Sequence, residues 1–369
     1  MKYLTIKDLE DIVWGATLLG SGGGGSPENG LQLVHEVAKV TDKIPLVSPE
    51  EVADNDYIAT VAGMGAPKAL KEKGFGAEAL YAFDGLVRLY EMSGIKIKYL
   101  MPVETGGFNS VSPVYVAAYR KIPLVDLDGA GGRAVPELNT LLYFLYKVPT
   151  TPLVIANKNG DTVAIWLKDP LDAKMAEEIG RGVTVAFGML SGIAGWVMTG
   201  WQAKKYMEPY SLTRSLEVGK AIREAKEAGK DPVKAILERV GGYELIRGTI
   251  TKIEIKTVAG FDFGRTIVEG EGEYAGKKLI IDFKNENMIA WYGENEPAAM
   301  VPDLICLMTV DGTPLTNADT KEGMKIAVLG FPASERWRKA PNFFGAWKHI
   351  LEKIGYTGEY IPIEKLVKK

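Results

Sequence analysis

Three glycine-rich segments hold the residues best suited to chemistry in this chain. The first is Leu19-Gly20-Ser21-Gly22-Gly23-Gly24-Gly25-Ser26-Pro27. Without Cβ atoms, Gly22, Gly23, Gly24 and Gly25 let the backbone take positive φ and approach a ligand closely. Ser26 reads as an N-cap and Pro27 as the first helical residue. Backbone N–H groups there point into the space beside the glycines and favour an anionic or strongly hydrogen-bonding ligand. The competing reading is a plain tight turn. The second segment, Pro102 to Ser110, carries Glu104, Gly106, Gly107 and Asn109. A carboxylate, two glycines and an amide at a strand end suit the orientation of a polar ring or a water; otherwise Asn109 caps a helix and Glu104 lies at the surface. The third runs from Asp126 to Glu137. Asp126 and Asp128, two apart on a strand, point the same way. Like charges so close raise one pKa, as a general acid or base requires. Arg133 either neutralises the pair or clamps a substrate carboxylate, and Glu137 is a further substrate-binding candidate. The alternative is an aspartate pair that caps a turn and is tied down by Arg133.

Other chemistries fit less well. The glycine loop lacks the spaced lysine of a phosphate-binding loop, and a helix precedes it where a dinucleotide fingerprint needs a strand. His35, on the helix after the loop, and His349, near the C-terminus, read as ordinary helix-surface residues. Cys306 lies in an apolar strand and packs as a small hydrophobe. Two histidines and one cysteine give poor support for a zinc site of nitrogen and sulfur ligands, and a single cysteine forms no intrachain disulfide. The sequence requires no cofactor; whether a divalent metal is held by the carboxylates stays open.

The elements around these segments alternate. Thr5 and Asp8 form a capping box that opens a helix running to Leu19. A second helix follows Pro27. The strand Tyr57 to Ala62 ends in Gly63-Met64-Gly65-Ala66-Pro67, and Ile97 to Met101 and Ile122 to Leu127 are further strands. Helices cover Ala77 to Met92, Asn109 or Ser110 to about Arg120, and a stretch from about Pro136. Strands Leu153 to Ala156 and Thr162 to Ile165 follow. This pattern predicts a three-layer α/β domain with a mostly parallel sheet over residues 1–168. Ligands of such sheets bind beyond the carboxyl ends of the strands, where the three polar segments fall. Residues 169–241 read as a helical segment packing on that domain. From Gly242 the period changes to two, which predicts a β-rich, barrel-like domain over 242–369 with a closing helix near Phe344 to Ile354.

The 369 residues are 46% hydrophobic and 25% charged with a net charge of −3. That suits two globular domains and gives no basic surface for nucleic acid or an anionic membrane. The longest apolar stretch, Val183 to Trp201, is interrupted by glycines and does not read as membrane-spanning. No signal peptide is recognised, so the expected location is cytoplasmic.

The three segments, taken with Asp282-Phe283-Lys284-Asn285-Glu286-Asn287 and Val301-Pro302-Asp303-Leu304-Ile305, resemble the S-methyl thiohydantoin desulfurase family over nearly the whole chain. The resemblance implies an α/β N-terminal domain, a β-rich C-terminal domain and hydrolysis of S-methylated thiohydantoins to a hydantoin and methanethiol. It also brings other five-membered cyclic amides into range. Where the family loop has threonine, aspartate and tyrosine, this chain has Ser21, Ser26 and Glu28; Ser26 keeps the helix cap but removes a negative charge. The leading expectation is therefore a hydrolase of a small heterocycle. Asp126, Asp128 or Glu104 would activate water, and the glycine amides would hold developing charge. Competing expectations are a non-catalytic subunit of a hydantoinase- or oxoprolinase-type enzyme, and a nucleotide-dependent enzyme. The expected partner is a small-molecule substrate, with a homo-oligomer left open. All of this requires Gly23 and Asp128 to line one cleft.

Overall fold

A computed structural model describes residues 1–65, 70, 74–258 and 261–367; Ala66 and Pro67, expected at a strand end, lie outside the described residues. Its first half contains β1 (Lys2–Thr5), β2 (Lys43–Val47), β3 (Tyr57–Gly65), β4 (Ile97–Pro102), β5 (Leu124–Val125), β6 (Leu127–Asp128), β7 (Leu153–Ala156), β8 (Thr162–Ile165), β9 (Leu190–Thr199) and β10 (Glu208–Pro209). Eight of these form a sheet in the order β1-β2-β5-β4-β3-β9-β7-β8. Its centre, β2-β5-β4-β3, is parallel, and antiparallel strands extend it on either side. Both faces are covered, so the strands alternate between two cores instead of between core and water. On β3, Ile58 and Ala62 enter one core, while Ala59 and Val61 enter the other.

The capping signals behave as expected. Asp8 N–H donates to Thr5 Oγ1 at 3.2 Å and Thr5 N–H to the Asp8 carboxylate at 3.0 Å, opening the helix Ile6–Leu19. Ser26 Oγ accepts from the amides of Glu28 and Asn29 at the start of Pro27–Ala38. Three expectations need correction. Residues 169–241 are not helical throughout, because Leu190–Thr199 forms β9, which lies between β3 and β7 in the first sheet. Gly192 serves packing there: a Cβ on it would overlap the backbone of Glu78, so it lets the helix Ala77–Glu91 lie close on the strand. The strand expected from Ile122 to Leu127 is broken at Asp126. There β5 leaves the first sheet and β6 pairs instead with β10. Beyond Pro136 the chain makes only a 3-10 turn, Leu138–Thr140, and the short helix Leu142–Leu145.

The second half is antiparallel: β11 (Tyr243–Val258), β12 (Phe261–Gly270), β13 (Lys278–Lys284), β14 (Glu286–Tyr292), β15 (Glu296–Met300), β16 (Leu304–Thr309), β17 (Pro314–Leu315) and β18 (Lys325–Phe331). They run β15-β14-β13-β12-β11-β18-β16-β17. Among the described residues no strand pair joins the two edges, so this is an open β-rich domain and not a closed barrel. The helix Gly345–Lys353 then packs Trp347, Ile350 and Leu351 into the core that β14 shares with the first sheet. Among the described residues no helix is long and apolar enough to cross a membrane.

Asp126 has a structural task at the break. Its carboxylate accepts from the amides of Leu212 and Thr213 at 2.9 and 3.2 Å and from the Thr213 hydroxyl, capping the helix Ser211–Glu227 from a distant part of the chain. Asp126→Ala should cost about 1–3 kcal/mol by leaving those donors without an acceptor. A urea-unfolding midpoint equal to that of the wild type would contradict this assignment.

Candidate active site

The glycine loop is held between the two halves of the molecule. Ser21 sits at φ 53°, Gly22 at 92°, Gly24 at 78° and Gly25 at 85°; repeated left-handed backbone of this kind is strained for residues with a Cβ. Ser21 Oγ accepts from Ile305 N–H at 2.9 Å and donates to Ile305 O at 3.0 Å. The Asn287 and Asn317 amides donate to the carbonyls of Ser21 and Gly22. On the other side, Gly24 O accepts from the amides of Phe108 and Asn109. A Cβ on Gly23 would overlap the Glu286 carboxyl, and one on Gly24 would overlap Gly106. The loop is glycine because both domains press on it. The N–H groups of Gly22, Gly24 and Gly25 find no acceptor among the described residues.

Two buried carboxyl groups flank this loop, one from each half. Glu104, 8% exposed, accepts from Val135 N–H at 2.9 Å and from Asn109 Nδ2 at 2.6 Å. Asn109 therefore orients a carboxylate instead of capping a helix, and Ser112–Arg120 begins without a side-chain cap. Glu286, 4% exposed, rests on Gly23, and its Oε2 has no hydrogen-bond partner among the described residues. Burial raises Glu104 to about 7, helped by the charge of Asp128. Burial and then the charge of Glu104 raise Glu286 to about 8. Near neutral pH the two groups retain protons that ordinary carboxylates lose.

The other candidates take different places. Arg133 neither neutralises the aspartates nor stands free to clamp a carboxylate. Its guanidinium, fully buried, donates to the carbonyls of Ala134, Pro302, Asp303 and Asn287 and lies over the Trp347 ring. Asp126 and Asp128 do not form a pair, because the strand breaks between them. Asp128 accepts from Ala130 N–H at 2.7 Å, Gly132 N–H at 3.0 Å and Thr105 Oγ1 at 2.8 Å. Gly23 connects to Asp128 only indirectly, through the Gly24 contact with Thr105 and the Thr105 hydroxyl on Asp128, whose oxygens also accept from the backbone of their own loop. Gly106 and Gly107 give room for other backbone: a Cβ there would overlap Gly24 or the Thr17 hydroxyl. Among the described residues no group of three or more His, Cys, Asp or Glu side chains is placed to hold a metal. His35 is exposed on its helix. Cys306 is buried, its thiol pushed up to about 12 by burial.

Glu137 joins the site through Lys284, to which the sequence reading gave no role, and His349, which it read as a helix-surface residue. Its carboxylate pairs with Lys284 Nζ and lies 2.9 Å from His349 Nε2. Lys284 is 3% exposed along its side chain, lies over the Phe261 ring at 4.1 Å, and is pushed down to about 8 by burial. Glu286 and Lys284 flank Asn285, whose φ of 54° makes the β13–β14 turn. A signal for them existed: the polar run Lys284-Asn285-Glu286-Asn287 interrupts two apolar strands.

Comparison with known proteins agrees with this architecture. Residues 7–166 match the model of the S-Me-THD-like N-terminal domain, and residues 171–346 that of the S-Me-THD-like C-terminal domain. A crystal structure of a protein from Chromobacterium violaceum is similar at a TM-score of 0.85 with 27% sequence identity, covering 98% of this chain and 100% of that one. No curated protein matches.

The raised Glu286 carboxyl fixes the sign of a pH effect. Between its ordinary value of 4.5 and about 8 the folded state holds a proton that the unfolded state has lost, so stability falls as pH rises through that window. Relative to Glu286→Gln, the wild type should lose up to ~1.4 kcal/mol per pH unit there. Parallel stability–pH curves for the two proteins between pH 5 and 8 would refute the shift.

Proposed function

Because the chain belongs to the S-Me-THD-like family, with both domains in order, we propose that it hydrolyses a small five-membered cyclic amide such as an S-methyl thiohydantoin or a hydantoin. The observation that carries this reading is the pair of buried, partly protonated carboxyl groups, Glu104 and Glu286, meeting from different domains beside unpartnered glycine amides. A pair whose environments hold one group ionised and the other protonated supplies a base and an acid at one pH.

In this mechanism the ionised carboxylate takes a proton from water as its oxygen bonds to the ring carbon that bears the methylthio group. Negative charge moves onto the ring, where the amides of Gly24 and Gly25 face it. The protonated carboxyl then delivers a proton to the departing sulfur as the carbon–sulfur bond breaks. Water's oxygen becomes the new ring carbonyl and its remaining hydrogen moves to the ring nitrogen; the methanethiol proton comes from the acid carboxyl, which regains one from the carboxyl that took water's first proton. Asn109 fixes the rotamer of Glu104, and Glu137 holds the buried Lys284 in an ion pair and contacts the His349 ring. Asp126 and Asp128, whose oxygens are engaged by backbone and threonine donors, support the scaffold.

A ligand-binding subunit working with a hydantoinase-type enzyme is the second reading, favoured by Ser26, which caps its helix without the family's negative charge. Turnover separates the two. With an S-methyl thiohydantoin, Glu104→Gln and Glu286→Gln should each lose about 100-fold or more in kcat while still showing thermal stabilisation by the hydantoin product. Wild-type rates in both variants would remove the pair from the mechanism; stabilisation by ligand with no turnover in the wild type would establish the subunit reading.

A further inference from the structure

Arg214, in the first turn of the helix Ser211–Glu227, makes no hydrogen bond or ion pair through its guanidinium among the described residues. It lies deep in the fold, where burial lowers its pKa, yet it keeps some accessible surface. A gap explains both facts. A Cβ built on Gly132 would still stand 3.8 Å from Arg214 Nη1 and 3.9 Å from Glu208 Cγ, although most glycines in this part of the chain would clash. Glu208, whose Cγ borders this gap, has a buried Oε2 that also lacks a partner among the described residues. The Phe331 ring, 5.7 Å from the Arg214 guanidinium carbon, forms an apolar wall. Buried polar groups are ordinarily paired, and two orphans facing one space mark a place for a third body.

Charge indicates which body. The groups acting on Glu208 are the Ser334 hydroxyl, Asp128, Arg214 and Arg336, and burial outweighs them to raise its carboxyl to about 7. Among the described residues Arg336 donates only to the carbonyls of Lys204 and Lys205 and pairs with no carboxylate. With Glu208 protonated, two guanidinium charges stand against the single carboxylate of Asp128. One positive charge is uncompensated, and a buried guanidinium favours planar, bidentate oxygen anions.

We propose that Arg214 and Glu208 form a binding site for a small carboxylate-class anion in the gap beside Gly132, separate from the Glu104–Glu286 site. Arg214 donates two N–H bonds to the anion and the Glu208 acid donates a third. The Asp128 loop, which accepts the Thr105 hydroxyl behind the glycine loop, separates the two sites.

Sodium formate is the probe, titrated into the full chain at pH 6 with sodium HEPES holding ionic strength constant. The wild-type Tm should rise saturably with formate, as it must when a ligand binds only the folded state. Arg214→Gln should weaken the apparent affinity at least tenfold. Arg239→Gln, which alters only exposed ion pairs, should leave it unchanged. Raising the pH from 6 to 8 should weaken binding to the wild type as Glu208 ionises, whereas Glu208→Gln should bind equally at both. A formate response that does not saturate, or one of equal size in Arg214→Gln, would overturn the site. Should Arg214→Gln fail to fold, the contrast between wild type and Glu208→Gln decides: the same pH dependence in both overturns it.

Discussion

The close approach of a side-chain-free loop to both domains is the contact on which the rest of this structure depends. Ser21 is locked to the backbone of β16, Gly23 lies under Glu286, and Gly24 lies on Gly106. No larger residue fits between them. The loop therefore acts as a spacer of minimum thickness, and its thinness brings Glu104 and Glu286, widely separated in the chain, under each other's charge. The same squeeze leaves three loop amides without acceptors among the described residues. Electrostatic coupling and unpartnered donors arise from one steric fact.

Local signals made much of this legible. The Thr5–Asp8 box and the Ser26–Pro27 start each need only a few neighbouring residues to be satisfied, so sequence spacing describes them fully. The β-rich second half followed from its period-two alternation. What was not legible depended on contacts between distant residues. β9 has Gly192 where the helix Ala77–Glu91 presses on it, and nothing in its own composition reveals that neighbour. The Asp126–Asp128 pair illustrates the same point. Side chains two apart share a face only while one strand continues, and here the chain changes sheets at Asp126 because the helix Ser211–Glu227 takes that carboxylate as its cap.

The candidate site was half visible for a related reason. Glycine-rich and acidic segments at strand ends pointed to the region where Glu104 and Glu286 meet, and Asn109 donates to Glu104 there. Glycine, however, has two meanings that sequence does not separate: room for a ligand, or room for more protein. Gly106 and Gly107 serve the second. Glu286 was hidden because its significance arises only when the second domain docks; alone, Lys284-Asn285-Glu286-Asn287 is a hairpin tip with its turn residue at φ 54°. Arg133 was misassigned because an arginine near aspartates invites an ion pair. Four backbone carbonyls outcompeted them once Pro302 and Asp303 arrived from the second half.

The energetics argue against a purely structural seam. Burying a carboxyl costs free energy unless it is paired or protonated. A seam built only for cohesion would gain from amides at Glu104 and Glu286, which hydrogen-bond without a charge to desolvate. The protein instead keeps two acids, leaves one oxygen of Glu286 without a partner, and commits Arg133, the nearest permanent cation, to carbonyl groups that do not titrate. The pair therefore remains free to exchange protons near neutral pH. Destabilisation of this kind concentrates where a fold has chemistry to perform, and here it falls where the glycine loop meets both domains.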